Sequence, residues 1–419
     1  MNDRSPDEEK FIKGRITDED FDKMRALIGY ANPTLGGDRP RPAHYSEVTS
    51  DSIRHYVNGY GDDNPLFCDR NYGQTTRWGS QIAPLMAIGA HSDVRFKPMS
   101  DDLRQMTKGV LRGVHLFASG SESYYYRPVV PGDRLRASDG VISIREKRSE
   151  FSGGRSAIVE NGGTVINQNR EVVSSSINWI VHTEREGSAK RAGKRHIELG
   201  AYGDDDLKRI DDAYENEFVR GGDTFYWEDA SVGDEMPTMV KGPLRVTDII
   251  AFHIGWGWGN YGIGALKLDY KNRKQMPGFY GKNEFGAWDV MQRLHWDPEF
   301  ARAIGNPTTY DYAPVRFAWS CHYLTNFVGD DGWVYRMRVD LRKFNFVGDT
   351  TWFEGEIKEK RLDPELGPLI EVEVRGVNQR GEINCHADAT LLLPSREHGA
   401  VALPPVPEDV ANRAPHDDW

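Results

Sequence analysis

The chain repeats itself, and that constrains its fold more than anything else in the sequence. The segment YYYRPVVPGDRLRASDGVISIREKR (124–148) matches VDLRKFNFVGDTTWFEGEIKEKR (339–361), with Gly132-Asp133 on Gly348-Asp349 at an offset of 216. Further on, Asn167-Gln168 falls on Asn378-Gln379 at an offset of 211. In both copies alternating apolar and polar residues flank turn residues, the pattern of antiparallel strands. Upstream, Asp69 of CDRNYG aligns with Asp297 of WDPEFA at 228, Pro84 with Pro314 at 230, and Ile53 with Ile249 at only 196. The jump from 196 to 228 places an insertion in the second half between Ile249 and Asp297, and the insertion includes GWGWGNYG. Five landmarks in one order argue for duplication rather than chance turns.

The repeat divides the chain into an N-terminal half (1–190), a linker with a charged helix (191–225), a C-terminal half (226–395) and an irregular tail (396–419). Residues 8–30 read as an amphipathic leader helix and 204–217 as a second charged one. With 53 Lys+Arg against 64 Asp+Glu the net charge is −11, which argues against a nucleic-acid partner that must neutralise phosphates. Three scattered cysteines, Cys68, Cys321 and Cys385, give neither a disulfide framework nor a thiolate metal site. The polar start and the lack of a long apolar run predict a cytoplasmic protein with no membrane partner.

The first copy reads YVNGYGDDNPLFCDRNYG (56–73). This resembles the signature of the MaoC-like or hydratase-2 family, (R)-specific enoyl-CoA hydratases and dehydratases of the hot-dog fold. Gly61, Asp62, Asn64, Pro65, Leu66 and Asp69 occupy matching positions. The resemblance covers about 45–395, with an N-terminal half like a FAS1-like dehydratase. It implies an α+β tandem double hot dog, each half a long helix wrapped by a curved antiparallel sheet. Where the family places its catalytic histidine, the first copy has Phe67, which can move no proton. In the second copy, His295 stands there, followed by Trp296-Asp297-Pro298, with Asp289 six residues before it. The resemblance therefore implies catalysis in the C-terminal half by His295 and Asp289, and a substrate-accommodating N-terminal half.

The implied reaction is reversible hydration of a 2-enoyl-CoA, with room for a bulky acyl group and with no metal or cofactor. Alternatives are a hot-dog acyl-CoA thioesterase or a non-catalytic acyl-CoA-binding subunit. A homo-oligomer, a dimer, or pairing with a second hot-dog chain is expected. The central helix of the C-terminal half should start near Tyr310-Asp311-Tyr312-Ala313, where Pro314 suits a first turn. There an N–H could meet the thioester oxygen, and Arg316 a CoA phosphate or an internal carboxylate. Asp62 and Asn64 are further substrate-binding candidates, or shape their own loop. Gly257–Gly262 spells GxGxxG, yet no βαβ unit surrounds it, so Trp258 and Tyr261 are better read as a lid or wall over the acyl pocket, or equally as a plug in the core or at a subunit interface. Cys321-His322 are adjacent on a helix, point about 100° apart, and read as packing.

Overall fold

A computed structural model describes residues 14–149, 154–184, 197–257, 263–304 and 306–415. The strands in chain order are β1 (Ser92–Arg95), β2 (His115–Tyr125), β3 (Leu135–Ser149), β4 (Gly154–Ile166), β5 (Val172–Thr183), β6 (Glu235–Lys241), β7 (Tyr280–Lys282), β8 (Trp288–Val290), β9 (Trp333–Leu341), β10 (Thr351–Asp363), β11 (Gly367–Asn378) and β12 (Ile383–Leu392). Ten of them form one sheet in the order β1-β3-β4-β5-β2-β9-β12-β11-β10-β6, and β7 pairs with β8 in a small hairpin. The N-terminal copy contributes the first five of that order and the C-terminal copy the last five. They meet where β2 and β9 run antiparallel, Ser121 opposite Val339 and Ser123 opposite Met337. Pairing there covers two edges that would otherwise be open. The architecture is α+β, two hot-dog units in tandem.

The duplication extends to individual hydrogen bonds. The Val130 and Phe346 N–H groups each donate to the aspartate three residues on, Asp133 and Asp349, at 2.9 Å. The second oxygen of each aspartate accepts from Gln168 at 3.0 Å or Gln379 at 2.7 Å. Those glutamines in turn accept from Arg134 N–H and Thr350 N–H, both at 3.0 Å. Gly132 and Gly348 take φ of 100° and 95°, a left-handed turn that glycine makes without strain.

The halves differ in what fills the concave face. In the C-terminal half the helix Ala313–Val328 runs 16 residues, opens with a proline in its first turn and stops at Gly329, φ 72°. Thirteen of its residues are buried, and it packs against Met337, Val339, Ile357, Val372 and Val374. The N-terminal half has a shortened version of the same element: a 3-10 turn Leu85–Ala87 runs into Ile88–His91, and the chain then leaves as β1 beside β3. Gly89 falls inside this stretch and weakens it by roughly 1 kcal/mol relative to alanine. Part of the uncovered face is taken by the leader helix, which spans Asp18–Ala26 and starts at the Thr17–Asp20 capping box. Its Phe21 and Met24, with Leu27, pack on Val141, Ala157 and Val159. The charged linker helix spans Asp204–Glu215, and the tail carries a short helix, Glu408–Ala411. Among the described residues no helix is long and apolar enough to cross a membrane.

A buried polar cluster ties the halves together. Asp62 accepts from Tyr60 OH at 2.8 Å and lies 3.2 Å from His322 Nε2 on the central helix. That same nitrogen is 3.1 Å from Glu217 of the linker, and Glu217 is 3.5 Å from Lys241 Nζ. Lys241 also donates to Gly61 O at 3.1 Å, and Asn64 to Asn326 Oδ1 at 3.0 Å. Burial pulls the Lys241 ammonium pKa down, against the opposing charge of Glu217. Removing one partner of such a buried pair strands the other, at a cost of about 3–5 kcal/mol. Lys241→Met should lower the unfolding free energy in urea by that order, whereas Lys208→Met, on an exposed helix pair, should change it by under about 1 kcal/mol.

Candidate active site

His295 ends the 3-10 turn Met291–His295, and Asp297 just after it accepts from Phe300 N–H at 2.9 Å to start the helix Pro298–Ala303. The ring is 7 % exposed and lines an open recess of about 2880 Å³. That exceeds the 300–1,000 Å³ of ordinary ligand pockets. The recess reaches both faces of the sheet around β2, β4 and β5, so only its concave part adjoins the central helix. Its wall near His295 includes Trp256, Leu294, Asp311, Tyr312, Ala313 and Arg316.

The imidazole is held on two sides. Its Nδ1 lies 2.7 Å from Tyr310 O, a contact in which only an N–H can donate, so the proton belongs on Nδ1 and Nε2 keeps its lone pair. Tyr312 stacks on the ring at 3.7 Å, and the Tyr310 ring packs edge-on at 4.8 Å. Burial pushes the His295 pKa down to about 3, against the Tyr310 bond, which favours the charged form. The ring is therefore neutral at physiological pH.

Arg316 takes the internal carboxylate of the two partners open to it. Its Nε lies 2.9 Å from Asp311, and its Nη1 donates to Lys343 O at 2.7 Å and Asn384 O at 2.8 Å. Asp311 accepts from Asn345 Nδ2 at 3.0 Å, while its Oδ1 has no hydrogen-bond partner among the described residues. Burial raises its carboxyl pKa to about 6 even though Arg316 and Asn345 favour the anion. Asp311 was missed in the sequence because it lies in the helix-start segment, sixteen residues after His295 and outside the signature. A raised carboxyl beside a lowered imidazole on one wall is the kind of pairing that acid–base sites use.

Of the residues singled out in the sequence, His295, Tyr312, Ala313 and Arg316 come together on this wall. Asp289 stands apart from it on β8, accepting from Asn283 at 3.3 Å and lying 4.0 Å from Arg293. Asp62 and Asn64 belong to the buried cluster between the halves, where Asn64 Oδ1 also caps Leu66 N–H at 3.0 Å. Phe67 is buried in the core. Trp258 and Tyr261 lie outside the described residues, although Trp256 beside them lines the recess. Cys321 packs in the core as expected, but His322 joins the cluster with Asp62 and Glu217.

Residues 39–176 match the family described as FAS1-like, dehydratase domain region. A probable enoyl-CoA hydratase alpha subunit of Thermomonospora curvata is 28 % identical over 169 residues, covering 38 % of this chain and 51 % of that protein. A mesaconyl-CoA hydratase of Cereibacter sphaeroides is 29 % identical over 252 residues, 59 % of this chain and 63 % of that protein. The chain thus spans between half and two thirds of the length of these relatives. A solved MaoC-like dehydratase superposes with a TM-score of 0.56 at 18 % identity, covering 88 % of this chain and 99 % of the other. The chain is thus similar in fold to a MaoC-like dehydratase and similar in sequence to two enoyl-type hydratases.

The two shifts act on stability with opposite sign. The His295 ring resists protonation in the fold, so its contribution is present above about pH 6.5 and lost as pH falls towards 3. The Asp311 carboxyl keeps its proton longer in the fold than its ordinary 3.8, so its contribution is full below that value and lost as pH rises through 6. Thermal unfolding midpoints followed from pH 4 to 7 should lose part of their acid-side fall in His295→Phe. In Asp311→Asn the acid-side fall should steepen.

Proposed function

We propose that the protein hydrates 2-enoyl-CoA thioesters reversibly, dehydrating 3-hydroxyacyl-CoA in the other direction, on the wall that carries His295. The observation that supports this most is a neutral imidazole on an open recess, beside the N-terminus of a 16-residue helix. Water attacks C3, and the Nε2 lone pair of His295 accepts its proton. Asp311, whose carboxyl keeps its proton up to about pH 6, serves as the second proton-transfer group and in that form delivers a proton to C2; it shares the wall with His295, as Asp289 does not. Negative charge that develops on the thioester oxygen meets the Ala313 N–H and the positive end of the helix. A proton then returns from His295 to Asp311 and restores both groups. Addition and loss of water need proton transfer alone, so the reading calls on no metal or redox cofactor. The recess beyond the wall, left by the shortened N-terminal helix, leaves room for a bulky acyl group.

With crotonyl-CoA as the probe, wild-type protein should consume the enone absorbance without releasing free CoA. His295→Ala should lower kcat/KM by at least about 10²-fold, and Asp311→Asn by a similar factor, with far-ultraviolet circular dichroism unchanged. Release of free CoA would favour a thioesterase, and binding without turnover an acyl-CoA-binding subunit.

A further inference from the structure

Two rows of side chains cross the concave face of the whole sheet, and they change character at its midline. One runs Gly355, Val374, Ala387, Val339 and then Ser121, Asn178, Asn161, Val141. The next runs Ile357, Val372, Ala389, Met337 and then Ser123, Ser176, Gly163, Asp139. On the C-terminal side the rows are apolar and lie under the central helix. On the N-terminal side the six polar residues all line the same recess as His295.

We propose that this polar floor binds oxygen atoms carried on the acyl group, so that the substrate is a large acyl thioester bearing hydroxyl or carbonyl groups away from the reacting carbons. The proposal rests on the hydratase reading above and narrows its substrate class. Asn161 is 3 % exposed, and its Oδ1 accepts from Asn32 Nδ2 at 3.1 Å. Its Nδ2 is buried and has no partner among the described residues. The Ser121 and Ser123 hydroxyls lie 3.4 Å apart, and Asp139 is held by Arg41 at 2.7 Å. A hydrocarbon guest would offer these groups no partner, at roughly 1–3 kcal/mol for each hydrogen bond left unmade. A hydroxyl can donate to Asp139 and accept from Asn161, and a carbonyl can accept from Asn161 or a serine.

The test uses the full chain and two 2-enoyl-CoA thioesters on the same polycyclic carbon frame, one bearing a ring hydroxyl and one without it. Wild-type protein should favour the hydroxylated thioester at least tenfold in kcat/KM, and Asn161→Leu should bring the ratio close to one. The double variant Ser121→Ala/Ser123→Ala, which adds no volume, should lower the ratio too and stands in if Asn161→Leu fails to fold. Equal kcat/KM for the two thioesters in wild type, or a ratio untouched by either variant, would overturn the proposal and leave the hydratase reading intact. No turnover of either thioester or of crotonyl-CoA would overturn both.

Discussion

Ten strands share one concave face, and a curved sheet of that length must be covered from end to end. The C-terminal half covers its share with a 16-residue helix whose apolar side chains meet apolar rows. The N-terminal half ends its helix at His91 and hands the face to a mixture of a leader helix and open space. The recess and its polar floor both follow from that unequal covering. At the same pleat positions, Val339 and Met337 on one side of the midline become Ser121 and Ser123 on the other.

The residues that look like a catalytic signature in the first copy do something else. Asp62 and Asn64 face the central helix of the other half and engage His322 and Asn326. Glu217 enters from the linker and completes the group. Burial alone would raise its carboxyl, but the His322 contact and the Lys241 charge hold it below the usual range. Phe67 sits in the core where an imidazole would complete the signature, and the polar residues have become a joint.

Much of this was legible in the sequence, and the parts that were not share a cause. The Gly-Asp landmarks predicted paired strands, and the turns around Asp133 and Asp349 repeat bond for bond. Pro314 marked the start of the central helix, and the position of His295 in the second copy led to the recess. Asp311 stayed hidden because its relation to His295 is spatial: the two lie on different segments joined by the Tyr310 carbonyl. His322 looked like packing because its partners, Asp62 and Glu217, are far away along the chain. The shortened N-terminal helix left only a weak trace, Gly89 within a run that otherwise aligns with its longer counterpart.

Joining the two copies through a linker has a consequence for how such a site can evolve. In an assembly of identical subunits, a serine introduced into the sheet would appear on both sides of the symmetry axis and would undercut both helices at once. Here each side of the midline has its own codons. One half could trade packing for a wettable floor while the other kept the hydrophobic backing that its helix requires.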